Sequence, residues 1–135
     1  KANYLEKANY FKESFRKSGA GDTDGSNENF SLAKVDYIKS IEIDPNSFDA
    51  NYNMGALIFN DAVKMMDIIN EIKDNAKYSE EKKKADAVFL SSIPYLEKAH
   101  ALNSEDASTM LSLKQLYVRS GDTEKYNAIK AKLEN

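Results

Sequence analysis

Chemistry would need a cluster of metal ligands, a nucleophile or a poised acid and base, and three stretches of this chain come near one. Asp22, Asp24 and Gly25 place alternating carboxylates ahead of a glycine, the arrangement with which a loop wraps a hard cation such as calcium. The full pattern is not met. With Gly25 at the invariant sixth position, Ala20 falls where an Asp belongs and Ser31 where the bidentate Glu belongs. A plain helix-connecting loop over residues 19–29 is the favoured reading, since GAGDTDGSNEN is polar throughout apart from Ala20.

His100 is the only histidine and the chain has no cysteine, so neither a histidine metal set nor a thiolate site can be assembled. A triad lacks its parts too. Glu80 and Glu81 form a carboxylate pair, but the Lys82-Lys83-Lys84 run beside them and the Glu80 to Lys84 spacing describe a solvated helix face. No phosphate-cradling glycine loop, G-x-S-x-G or H-E-x-x-H is present. The expectation is a chain with no catalytic residue, no cofactor and no metal.

Composition narrows the class further. A formal net charge of -3 gives no electrostatic reason to expect nucleic acid or an anionic membrane as partner. No apolar run approaches the ~20 residues of a membrane span. At 135 residues with 41% hydrophobic residues, 5 Gly and 2 Pro, the chain reads as one all-α domain. It starts at Lys1 inside a helical pattern, as a trimmed piece of a longer protein would.

Helical stripes set the order of elements. Tyr4, Ala8, Phe11 and Phe15 recur at steps of four, three and four, and Phe30, Ala33, Tyr37 and Ile41 form a second stripe that Ser26 or Asn27 can cap. Asp44-Pro45-Asn46 stops that helix, and Ser47 caps the next. The third helix carries Ala50, Met54 and Ile58, with Gly55 beside them as a close-packing position, and runs on through Ala62, Met65, Ile69 and Ile72 to Asp74-Asn75. Ser79 is the expected cap of a fourth helix with Ala85, Phe89, Ile93, Leu96 and Ala99, long enough to pair with the third as a hairpin. Pro94 implies a kink near Leu90 or a break with Ser92 as a new cap. The last pair turns at Ser120-Gly121-Asp122, with Thr123 able to cap and Tyr126, Ile129 and Leu133 as the final stripe.

Ala33-x3-Tyr37 with Pro45, then Asn51-x2-Met54-Gly55-x2-Ile58, resembles the tetratricopeptide repeat (TPR), whose 34-residue pattern runs W-x2-L-G-x2-Y, A-x3-F, P. Met110-x2-Leu113-Lys114-x2-Tyr117 follows the same first-helix pattern. Asn51 in place of Trp is the main departure, and Lys114 stands where a small residue is usual. The resemblance implies an α-α superhelix of about three repeats and six helices with an elongated middle hairpin: repeat 1 over 2–46, repeat 2 over 47–104 and repeat 3 over 105–135.

It further implies a concave groove, lined by the first helix of each repeat, that holds a protein or peptide partner. Carried over, the groove positions are Asn9 from repeat 1, Asp49, Tyr52, Ala56, Phe59 and Asn60 from repeat 2, and Ser108, Leu111, Gln115, Val118 and Arg119 from repeat 3. For Tyr52, Phe59 and Leu111, packing within the core competes with contact to a ligand. The segment PYLEKAHALNSED, together with the long hairpin, is similar to TPR proteins of bacterial cell envelopes, which makes the periplasm or envelope the expected location. The alternative function is structural: a section of a longer solenoid that stacks or self-associates through its end faces.

Overall fold

The computed structural model describes residues 3–17 and 23–135, and among them every regular element is a helix. The first, α1, spans Tyr4–Lys17. Asn3 and Glu6 open it as a reciprocal cap. The Glu6 N–H donates to Asn3 Oδ1 at 3.0 Å, and Asn3 Nδ2 donates back to Glu6 Oε2 at 3.2 Å.

The second helix, α2, spans Thr23–Ile43, so residues 23–29 are its first turns and not the expected solvated loop. Asp24 and Gly25 therefore belong to a helical turn, Ser26 and Asn27 lie inside the helix instead of capping it, and Asp22 falls outside the described residues. Low local propensity argued for the loop. Propensity is a weak local term of ~1 kcal/mol even for Gly, and a helix already held downstream by Ala33 and Tyr37 adds turns cooperatively.

The third helix, α3, covers Phe48–Ile69 over 22 residues, against 14 for α6, which runs Ala107–Ser120. Helix α4 spans Asn75–Ser91 and α5 spans Ile93–Leu102, and α7, Thr123–Glu134, closes the chain. The fourth helix is thus interrupted at Ser92. Pro94 has no N–H to give and crowds the carbonyl four residues back, so the ladder cannot pass. The buried Ser92 does not cap α5, since its hydroxyl donates instead to the Phe89 carbonyl at 2.6 Å. Counted as one interrupted helix, α4 and α5 leave the six helices and long middle hairpin that the sequence predicts.

Two caps differ from expectation. Asp74, not Ser79, opens α4 by accepting from the Lys77 N–H, and Asp122, not Thr123, opens α7 by accepting from the Lys125 N–H. Asp74 stands five places before Ser79 and Asp122 one place before Thr123, and in each case the carboxylate sits at the true boundary and binds a helix N-terminus more strongly than a hydroxyl does. Ser47 caps α3 as expected, through the Ala50 N–H at 3.1 Å.

All substantial helix contacts join elements one or two places apart in the chain, the pattern of an all-α stack and compatible with an α-α superhelix. Two core clusters result. One gathers Ala8, Ala33, Tyr37, Met54, Leu57 and Ile58 from α1, α2 and α3. The other gathers Ala62, Phe89, Leu96, Met110, Leu113, Leu116, Tyr117 and Ile129 from α3 to α7, and Val88 packs against both. They meet where Gly55 faces Leu96: a Cβ on Gly55 would lie 2.6 Å from Leu96 Cγ. Only a glycine lets α3 and α5 approach this closely.

Candidate partner-binding face

The outward face of α6 follows from its inward one. Leu113, Leu116 and Tyr117 fill the core, so Ser108, Leu111, Gln115 and Val118 are turned to solvent. Leu111 is 50% exposed and Val118 63%, and with Gln115 between them at steps of four and three they form one apolar ladder. Water gains nothing from such a ladder, whereas a partner's apolar side chains would bury it.

On α3, Asp49 is exposed in the first turn and Tyr52, Ala56, Phe59 and Asn60 are half-buried. Tyr52 lies parallel to Phe48 with ring centroids 5.7 Å apart, an aromatic pair that the motif alone does not show because Phe48 precedes it. Phe59 meets Phe89 of α4 edge-on at 5.2 Å. For Phe59 the packing role is therefore occupied, although the ring keeps a partly exposed edge.

Arg119 is drawn to the same ring from α6. Its guanidinium carbon sits 3.8 Å from the Phe89 ring centroid and Nη1 lies 3.4 Å from Asp86 Oδ1. Cation and ring faces attract, and the aromatic surface orients the planar guanidinium. The structure thus brings Phe59 and Arg119 together through Phe89, with Asp86 fixing the charge. Asp86 and Phe89 are members of this cluster that sequence reasoning did not assign, because it drew the groove from the first helix of each repeat alone. The Ala85 to Phe89 stripe was the available signal.

Asn9 does not join this face. Its Oδ1 accepts from the buried Tyr37 hydroxyl, so it serves the α1 and α2 packing. Burial is also the main reason the Tyr37 phenol titrates well above its ordinary range. Tyr117 shows the same direction, raised by burial and then by its bond to Glu97 Oε1 at 2.8 Å. Neither is poised for acid or base work near neutrality.

Among the described residues no three His, Asp or Glu side chains gather to hold a metal ion. None of the described helices is long and apolar enough to cross a membrane. The face can offer apolar area, an amide, an aromatic pair and one ordered guanidinium. No protein-family model, curated protein or solved structure matches the chain.

Proposed function

We propose that this chain is a TPR-like scaffold that holds a segment of a protein partner along the exposed face of α6 and the face of α3 that Phe89 of α4 links to it, without chemistry of its own. The observation that carries this reading is the Leu111, Gln115 and Val118 ladder, solvent-facing on a helix whose opposite side is fully packed. The stacked Phe48 and Tyr52 offer further apolar area on α3, and Arg119, beside Asp86 at the edge of α6, supplies a guanidinium to which a partner carboxylate can also bind. An amphipathic helix or an extended apolar segment fits those features.

The test uses the chain as bait against extract of its source organism. Leu111→Asp combined with Val118→Asp should weaken capture of a recovered partner at least ~10-fold, since a hot-spot truncation costs ~2 kcal/mol. Far-ultraviolet dichroism should not change. Lys98→Ala, on the exposed side of α5, is the control. Capture that survives the double change and fails with Lys98→Ala would move the site to the opposite face.

A further inference from the structure

A second exposed stripe runs along α2, away from the face just described. Glu28, Leu32, Val35 and Lys39 are all exposed and recur at steps of four, three and four, which at ~100° per residue confines them to one narrow strip of the helix. Leu32 is 38% exposed and Val35 51%. The opposite strip, Ala33 and Tyr37, is buried. The two apolar side chains therefore face solvent by placement, not by fraying of the helix.

The order along the stripe is acidic, apolar, apolar, basic. Set against itself in parallel, this order would oppose Glu28 to Glu28 and Lys39 to Lys39. Turned end to end it is self-complementary: Glu28 meets the second copy's Lys39, Leu32 meets the second copy's Val35, and a two-fold axis between residues 33 and 34 repeats both contacts. Within one chain Glu28 and Lys39 lie roughly 16 Å apart along the axis, too far to pair with each other. Lys39 Nζ sits over the Tyr4 ring at 5.3 Å, which holds the ammonium at the stripe's edge and uses none of its hydrogen-bond donors.

We infer that α2 is a self-association surface, on which a second copy of this chain docks antiparallel through Leu32 and Val35 with two reciprocal Glu28 to Lys39 ion pairs. One helix face buries far less than the ~1,600 Å² of a standard interface, so the dimer is weak and forms at high local concentration. It dissociates as salt rises, because its ion pairs lie at an open rim. The surface is separate from the α6 ladder, so a dimer of this kind leaves both ladders accessible.

Sedimentation velocity on the full chain, from micromolar to millimolar concentration in low salt, tests this. The wild type should show a concentration-dependent rise toward dimer. Lys39→Glu opposes two like-charged pairs and should weaken association ~10-fold. Glu28→Lys combined with Lys39→Glu restores both pairs with signs exchanged, and should return association to within ~3-fold of wild type. Rescue cannot arise within one chain at that separation. As the chain has no cysteine, a mixture of Leu32→Cys and Val35→Cys chains should also form disulfide dimers faster than either variant alone. A monomer at all concentrations, association indifferent to Lys39→Glu, or a double variant no better than the single one would each overturn the inference.

Discussion

The turn from α2 into α3 and the turn from α5 into α6 are built alike, and the helices that follow them part company at one position. In the first, the Asn46 N–H donates to Asp44 Oδ1 at 3.1 Å and the Ser47 N–H to the Asp44 carbonyl at 3.1 Å. In the second, the Glu105 N–H donates to Asn103 Oδ1 at 3.3 Å and the Asp106 N–H to the Asn103 carbonyl at 3.4 Å. Pro45 is thus not required for the turn. An Asx side chain that accepts from the backbone two residues on does the work in both, which is why Ser104 can stand in the place of proline.

The agreement continues into the helices. Met54, Leu57 and Ile58 of α3 are buried, and so are Leu113, Leu116 and Tyr117 at the matching places of α6. Gly55 and Lys114 then differ. At Gly55 the Leu96 side chain of α5 presses onto the α3 backbone, whereas Lys114 is half-buried with Nζ 6.0 Å from the centroid of Tyr126 on α7. The same scaffold thus makes a tight dry contact in its middle and a looser, cation-faced contact at its end. A small residue is a requirement of the helix that packs on α3, not of the turn and helix that the two places share.

Filling both positions should separate the two helix contacts most widely. Gly55→Leu should cost about 3 kcal/mol, the upper end for overpacking, because Leu96 Cγ is not a flexible tip that can swing away. Lys114→Leu should change stability by less than ~1 kcal/mol, since a long side chain is already accommodated there. Urea unfolding of the two variants reads the difference. Equal costs would mean that the two helix contacts are equally close.

A smaller effect should separate the two caps. The Asp106 carboxylate accepts from the Thr109 N–H at 2.9 Å and from the Thr109 hydroxyl at 2.7 Å, while the Ser47 hydroxyl accepts from the Ala50 N–H. Asp106→Ala leaves the fully buried Thr109 hydroxyl without its acceptor and should cost ~2 kcal/mol, against ~1 kcal/mol for Ser47→Ala. Thermal melts at matched pH measure both. The reverse ranking would show that the second turn does not depend on its carboxylate.

The smallest effect belongs to the end contact alone. His100 Nε2 lies 3.3 Å from Lys132 Nζ, and an ammonium only donates, so Nε2 accepts and the proton sits on the buried, unpartnered Nδ1. Burial first, and then the Lys132 charge, hold the imidazole below its ordinary pKa of 6.5. The folded chain thus takes up this proton later than the unfolded one as pH falls. The His100 contribution is complete above 6.5 and shrinks as pH drops through that value toward the lower folded one. The decline in melting temperature between pH 7.5 and pH 5 should be shallower in His100→Gln; parallel curves would show that folding does not shift the His100 proton.

The stripes were legible because they depend on period alone. Ala33 and Tyr37, Ala50 and Met54, Ala85 and Phe89, and Ile129 are buried where spacing placed them, since a helix can hide only one side. Composition likewise implied an all-α chain, and Pro94 a break close to its observed place. Gly55 was legible as a close-packing position, but its occupant Leu96 was not, because the pairing of α3 with α5 depends on where the long hairpin folds back.

Tertiary structure alone decided the rest. The start of α2 at Thr23 overrode the loop composition of residues 23–29, because helix extension from a packed stripe outweighs weak local preferences. Asn51, read as a defect in the motif, donates to the Pro45 and Ser47 carbonyls at 3.1 and 2.8 Å and ties the turn to α3. Arg119, expected at a groove position, also packs into a cluster with Asp86, Phe89 and Phe59 contributed by three helices. Periodicity says which side of a helix is hidden. Which helix hides it, and which exposed side chains find neighbours, depends on contacts between residues far apart in the chain, and these no local pattern records.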